Sequence, residues 1–334
     1  MKKMRKMCLF AAVSAAAILV SSAALGADSS PEPQADDELP SDAHIIPRSE
    51  MDPLETEADI VDPNKPFVAY VSGVDTRAEQ LETSNGDVNV LLAVNPETWN
   101  VLLLNTPRDY YIQNPAAGNA MDKLTHCAAY GIENSEKALG QLYGCDVDYY
   151  MQMNFEGFKK IIDSIGGVSV YSPEAFSMGS YDFVEGYNEM DGEKALAFAR
   201  DRKDLSYGDN SRGRNQMRII RAVLDKISED PAILDENLEE FMEGLDGTFE
   251  TDIPVLTVLT MVDGELSGTA QPLNVHEYAV TGHNGIDKTY SMAQPTNVMY
   301  QDPDLVQHAS DLIRMVLDGE TLTDDAVGEI VEEW

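Results

Sequence analysis

Arg200, Arg202, Lys203, Arg212, Arg214, Arg218, Arg221 and Lys226 place eight of the chain's 23 basic residues within one short stretch of a protein whose net charge is −36. An arginine guanidinium is a planar, permanently charged fork that meets phosphate oxygens two at a time. A cluster of this kind in so acidic a chain reads as a pocket for phosphate; the plainer alternative is a helix with a basic, solvated face. Three more segments carry charge next to apolar runs. They are Ser72-Gly73-Val74-Asp75-Thr76-Arg77, Gly86-Asp87-Val88-Asn89 and Pro107-Arg108-Asp109-Tyr110. Asp75, Asp87 and Asp109 are hard oxygen donors of the type that holds Mg²⁺ with one or two carboxylates plus phosphate oxygens. Phosphoryl transfer needs little covalent help from a protein, only positioning and charge neutralisation. Acids and arginines together therefore predict phosphate chemistry that depends on Mg²⁺ or Mn²⁺.

Such residues act together only if the fold brings them to one place. Phe67–Val74, Val88–Val94 and Val101–Leu104 are apolar, β-branched runs without polar alternation, which predicts strands covered on both faces. The charged segments fall at the ends of these runs, where open α/β sheets bind ligands. Helices are predicted over 135–143, over 154–165 with Phe155, Phe158, Ile161, Ile162 and Ile165 on one stripe, and over 191–198 behind an Asp191 cap. A further helix starts near Asp209–Ser211 with Met217, Ile220, Leu224 and Ile227 on its apolar face. That leaves Arg212 and Gln216, four residues apart, on another face near its start, where helix N-termini favour anions. Lys203, Arg214, Arg218 and Arg221 are read as solvated. Strands are expected near 255–262 and 275–280, and a closing helix over 304–317. Strands alternating with helices argue for a single three-layer α/β/α domain with a central mixed sheet, residues 67–318; a split near Asp230 is the alternative.

The flanks carry their own signals. Lys2, Lys3, Arg5 and Lys6 precede Cys8–Ala27, a run without charge, which is the pattern of an export signal. Residues 1–27 are read as a membrane anchor or a cleaved signal. The cell membrane, crossed once, is therefore the expected location, with the domain extracellular, or secreted if the signal is cut. Residues 28–66 hold twelve acids and seven prolines and read as a linker; residues 319–334 read as an acidic tail. So acidic a surface repels nucleic acid, so no nucleic-acid partner is expected. Cys127 and Cys145 are the exported thiols; a bridge between them is open, since spacing does not show that they meet.

In their order these segments resemble the LytR-CpsA-Psr (LCP) domain of bacterial cell-envelope ligases. The resemblance runs from about residue 67 to 226. It rests on Gly73 to Arg77, Asp87-Val88-Asn89, Pro107-Arg108-Asp109, the run Asp122-Lys123-Leu124-Thr125-His126-Cys127-Ala128-Ala129-Tyr130-Gly131, Gly166-Gly167-Val168, Gly192 to Arg202 and Arg212 to Gln216. It implies a transferase that moves a glycan phosphate from a polyprenyl-pyrophosphate carrier to a peptidoglycan acceptor at the membrane. Carried over by position, Arg200, Arg202, Arg212 and Gln216 would clamp the pyrophosphate with Lys123 nearby. Asp75 and Asp109 would be the metal-linked carboxylates, Asp87 matches a family acid, and Arg77 and Arg108 match family arginines. His126 is read as structural. Two other functions use the same residues: a pyrophosphatase with water as nucleophile, and a non-catalytic regulator that binds polyprenyl phosphates. An intact carboxylate set favours an enzyme over the regulator, because binding alone needs only the arginines. The Phe155–Ile165 stripe is either a wall for the isoprenoid tail or plain core.

Overall fold

Three apolar strands lie side by side at the centre of the molecule: β1 (Phe67–Val74), β2 (Gly86–Asn95) and β3 (Asn100–Asn105), every residue of them buried. The computed structural model describes residues 65–74, 81, 84–200, 209–229, 247–253 and 274–328. β1 and β2 pair antiparallel, as do β2 and β3, whose turn is closed by Asn95 Oδ1 accepting from the amides of Glu97 and Thr98. β6 (Tyr149–Met153) adds to β1 in parallel and β12 (Asn274–Ala279) adds to β3 in parallel. β11 (Phe249–Thr251) closes the other edge, for a sheet order β11-β6-β1-β2-β3-β12. This is the mixed sheet expected. Its two edge strands come from beyond residue 230, so segments on both sides of that point build one sheet.

Because side chains alternate across a strand, the apolar runs feed two cores. Ala69 and Val71 face one, with Phe158, Ile161 and Ile162 of α3 (Phe155–Ser164), Phe198 of α4 (Gly192–Arg200) and Met217, Ile220 and Leu224 of α5 (Asp209–Glu229). Val68 and Tyr70 face the other, with Leu139 of α2 (Ile132–Tyr143) and Leu312 and Ile313 of α6 (Pro303–Leu317). Caps set the helix starts. The Asn154 side chain accepts from Gly157 N at 3.1 Å and Asp191 from Lys194 N at 2.8 Å, each satisfying an amide that has no intrahelical partner.

Apart from the strand that begins at Val168, which the sequence predicts after Gly166-Gly167, the short elements are what the sequence reading left out. β4 (Tyr111–Asn114) and β5 (Ala120–Lys123) form a hairpin that runs into the single turn α1 (Leu124–Cys127). β7 (Val168–Ser172) pairs with β10 (Gly186–Met190), and β8 (Phe176–Met178) with β9 (Tyr181–Phe183). β13 (Gly282–Asp287) pairs with β14 (Thr296–Gln301). The strand expected at 255–262 and the segments 1–64 lie outside the described residues. Among the described residues, no helix is long and apolar enough to cross a membrane.

One expectation is corrected and one open point is answered. The tail expected from residue 319 is still part of the fold through Gly328: Leu322 and Val327 are buried, and α7 (Asp324–Val327) is capped by Thr323. Leu322 O accepts from Asn274 Nδ2 at 3.1 Å, so this acidic segment is tied to the edge strand. Cys127 and Cys145 are free thiols. Burial pushes both up, Cys145 to about 11, so neither is a ready thiolate.

Candidate active site

The parallel strands β1, β3, β6 and β12 all end on one edge of the sheet, and β2 begins there. The pairings Gly73 with Val88, Val90 with Asn105 and Asn105 with Ala279 fix that edge. Asp87 is the second residue of β2 and is only 4% exposed. It is held by what surrounds it. Tyr70 OH donates to Asn89 Oδ1 at 2.7 Å and Asn89 Nδ2 reaches Gly86 O at 3.3 Å, which fixes the start of the strand. A Cβ on Gly86 would stand 3.0 Å from that of Ala128, tighter than ordinary contact, so a larger residue would push β2 and the segment after α1 apart.

Arg108 and Asp109 follow β3. Arg108 Nη1 lies 2.9 and 2.8 Å from the two Asp87 oxygens, and Thr125 Oγ1 donates to Asp87 Oδ1 at 3.1 Å. Lys123 Nζ donates to Asp109 Oδ1 at 3.0 Å, and Asp109 Oδ2 stands 3.9 Å from Arg108 Nε. Two carboxylates and two cations thus form a continuous charged row along Asp87, Arg108, Asp109 and Lys123. Desolvating such charges is costly unless each is paired, and here the pairing also fixes where each fork and oxygen points.

Lys123 and Thr125 belong to the run Asp122 to His126, and Asp122 is its anchor. Asp122 is fully buried and accepts from His126 Nδ1 at 2.6 Å, Ser291 Oγ at 2.5 Å, Asn114 Nδ2 at 3.3 Å and Lys123 N at 2.9 Å. Burial pushes its carboxyl up, but the hydrogen bonds and the His126 charge outweigh this, and it sits below the ordinary carboxylate value. His126 is therefore a structural partner, as expected. Thr125, Asp122 and Ser291 were missed by sequence reasoning. The first two lie inside the run that carries Lys123, a usable signal; Ser291 lies 169 residues from Asp122 and leaves none.

The arginine cluster approaches from α5. Gly213 packs against Asn105 at the end of β3; a Cβ there would lie 2.8 Å from Asn105 Cγ. This contact sets the first turns of α5 beside the residues that lead to Arg108. Arg212 and Gln216 are both 2% exposed, and Gln216 Nε2 is buried without a hydrogen-bond partner among the described residues. Arg200 lies over the Phe155 ring, 5.1 Å from its centroid. Arg214 is corrected: it is 7% exposed, not solvated. Arg218 donates to Asn215 Oδ1 and Arg221 to Val275 O, both away from a purely solvated role. Asp75, Arg77, Arg202 and Lys203 lie outside the described residues. Gly213→Ala is expected to destabilise the chain by ~1–3 kcal/mol, because the overpacking outweighs the gain in helix propensity. The check is thermal unfolding of both proteins, and an unchanged melting temperature would show that α5 can move off Asn105.

Among the described residues no three metal-binding side chains cluster. The donor chemistry nevertheless fits a hard cation. Asp109 Oδ2 is at ionic distance only, 3.9 Å from Arg108 Nε, and Asp87 is a second carboxylate on the same guanidinium. A Mg²⁺ that takes most of its ligands from water and phosphate needs no more than one or two such carboxylates.

Comparison with known proteins follows the same lines. A model of the LytR_cpsA_psr family matches residues 38–303. The polyisoprenyl-teichoic acid–peptidoglycan teichoic acid transferase TagU of Oceanobacillus iheyensis is 31% identical over 237 residues, 66% of this chain and 72% of the relative. The Bacillus subtilis protein of the same name is 32% identical over 162 residues, 48% of this chain, and the match spans about half, 52%, of that relative. The crystal structure of B. subtilis TagV superposes with a TM-score of 0.61 at 21% identity, covering 78% of this chain and 99% of that one, and shows a shared fold.

Proposed function

The chain belongs to the LytR-CpsA-Psr family, and from that premise we propose that it is a glycopolymer–peptidoglycan transferase that moves a glycan phosphate from a polyprenyl-pyrophosphate carrier to peptidoglycan. The transferase names of its relatives support the reaction class. The observation that carries the rest is the buried pair Arg212 and Gln216 on the turns of α5 that Gly213 holds against Asn105, at the strand-end edge that also carries Asp87 and Arg108. A buried amide nitrogen with no partner among the described residues is rare in a folded protein and suits a ligand oxygen. Arginines, an amide and carboxylates gathered at one strand-end edge suit a diphosphate better than a neutral ligand.

In this reading Arg200, Arg202, Arg212 and Gln216 hold the pyrophosphate. Arg108, fixed by Asp87, stabilises charge that grows on the phosphoryl oxygens, as does Lys123. Asp109, or Asp75, orients the acceptor hydroxyl and takes its proton. The hydroxyl oxygen attacks the glycan-side phosphorus, the bond from that phosphorus to the bridging oxygen breaks, and polyprenyl monophosphate leaves with the electron pair. Asp75, Asp87 and Asp109 would hold Mg²⁺ or Mn²⁺, which when bound neutralises phosphate charge. The apolar run Cys8–Ala27 keeps the chain at the membrane face, where its lipid substrate lies, and the acidic linker lets the extracellular domain reach the wall.

The test incubates the full chain with a polyprenyl-pyrophosphate-linked sugar, Mg²⁺ and a peptidoglycan fragment, with products read by mass spectrometry. A glycan-phosphate adduct on the fragment is expected. Sugar phosphate released without adduct would make the protein a pyrophosphatase, and tight lipid binding without cleavage would make it a regulator. Excess chelator is expected to abolish the adduct and added Mg²⁺ or Mn²⁺ to restore it; full activity in chelator would remove the metal from the mechanism.

A further inference from the structure

The hairpin β13–β14 presents an aromatic ring that is held on three sides and open on the fourth. Tyr300 is 36% exposed. Beneath its ring lies Gly285, where a Cβ would stand 3.2 Å from Cδ2 and 3.3 Å from Cζ, so only glycine lets the ring lie down on the hairpin. Its hydroxyl donates to Asp287 Oδ2 at 2.9 Å. Tyr111 meets it edge-on, with ring centroids 5.7 Å apart and planes at 88°, and is itself tied by its hydroxyl to Lys288 O at 2.7 Å. An exposed aromatic side chain is normally free to turn. Here the fold fixes it and leaves a flat apolar surface edged by the Asp287 carboxylate and the Lys288 backbone carbonyl, at no further ordering cost when a ligand arrives.

This surface is continuous with the candidate site. Tyr111 stands opposite Lys123 in the β4–β5 pairing, so the two side chains share one face of that hairpin, and Met121, 36% exposed, lies on the same face. Lys123 Nζ bonds Asp109, and the amide of Met299, next to Tyr300, donates to Asp109 O at 2.8 Å. The arginines of α4 and α5 arise from the opposite side of the sheet: α5 packs in the first core, while Tyr110, Ile112 and Met299 pack in the second. In-line displacement at phosphorus brings the attacking and leaving oxygens from opposite directions. If the carrier phosphate leaves on the α5 side, the acceptor arrives over β4–β5 and β14.

Resting on the transferase reading above, we propose that Tyr300 and Tyr111 form the floor on which the glycan strand of the acceptor lies beside Asp109 and Lys123. A pyranose ring has an apolar face of C–H groups and a rim of hydroxyls, which matches a fixed aromatic face with Asp287 and Lys288 at its edge. A protein or lipid partner would want a broader apolar area without that polar rim.

The experiment uses the full chain and two readouts: transfer kinetics with donor and peptidoglycan fragment varied separately, and calorimetric binding of the fragment alone. Tyr300→Ala is expected to raise the acceptor KM and the fragment Kd by ~10-fold, the scale of one lost aromatic contact, with kcat and donor KM within ~2-fold of the parent. Tyr300→Trp restores both, and Tyr111→Ala gives a smaller defect in the same direction. Unchanged acceptor KM and fragment Kd in Tyr300→Ala would overturn the proposal, and so would an equal rise in donor KM. Fragment binding that depends on Tyr300 in a chain that performs no transfer would sink the transferase reading alone and leave the glycan floor standing.

Discussion

Arg212→Ala is expected to lower transfer turnover by ~10²- to 10³-fold, the cost of removing one charge-stabilising donor from a site that excludes water. Arg212 is 2% exposed, four residues from Gln216 on the first turns of α5, and α5 is held at the end of β3 by the Gly213–Asn105 contact. Its fork is therefore fixed before substrate binds. Arg212→Lys should recover little, because an ammonium is a point charge and cannot meet two phosphate oxygens in one plane. Lys226→Ala is the control. That lysine lies on the same helix but donates to Gly166 O and Gly167 O, where it closes the end of α3, so turnover should be unchanged. The measurement is kcat and donor KM for all three variants, with thermal melting to confirm that each is folded. Equal losses at Arg212 and Lys226 would mean that a diffuse positive field acts in place of a pocket.

Asp87→Ala is expected to cost at least ~10²-fold in turnover and about 1–3 kcal/mol in stability, since it strips a buried hydrogen-bonded charge from its partners. Asp87 receives Arg108 Nη1 on both oxygens and the Thr125 hydroxyl on one. Without it the Arg108 guanidinium has no fixed direction and the Thr125 hydroxyl loses its acceptor. Asp87→Asn keeps the shape and part of the hydrogen bonding, so its stability loss should be smaller while its turnover loss persists. The double variant Asp87→Ala with Arg108→Ala should be hardly worse than either single one, because the pair acts as a unit. Strict additivity in that cycle, or wild-type turnover in Asp87→Asn, would show that the pair only braces the fold.

What could be read from the chain alone was local. β1, β2 and β3 announce themselves because a strand covered on both faces must be apolar at every position, and such runs are rare elsewhere in the sequence. α3 and α6 are legible through the 3.6-residue spacing of their apolar residues, and the start of α3 through its Asn154 cap. The acids and arginines of the site could be picked out because each stands next to one of these elements. The hairpins β4–β5 and β13–β14 were not legible. They are short, and segments such as His283-Asn284-Gly285-Ile286-Asp287 mix exposed apolar and polar residues without a usable period. They exist because Tyr110 bridges to Met299 and Ser291 reaches Asp122, across more than 160 residues.

The amino-acid sequence by itself determined the class of fold and that acids and arginines stand at the ends of its strands. The tertiary structure alone decided which group holds which. It paired Arg108 with Asp87 and Lys123 with Asp109, buried Arg214, kept Cys127 and Cys145 apart as thiols, and laid Tyr300 on Gly285. The reason is physical. Strand and helix signals arise from neighbours in the chain and repeat with a period. A charge pair or a ring on a glycine depends on distances of a few ångströms between segments far apart in sequence, and nothing in either segment encodes the other's position until the shared sheet brings them together.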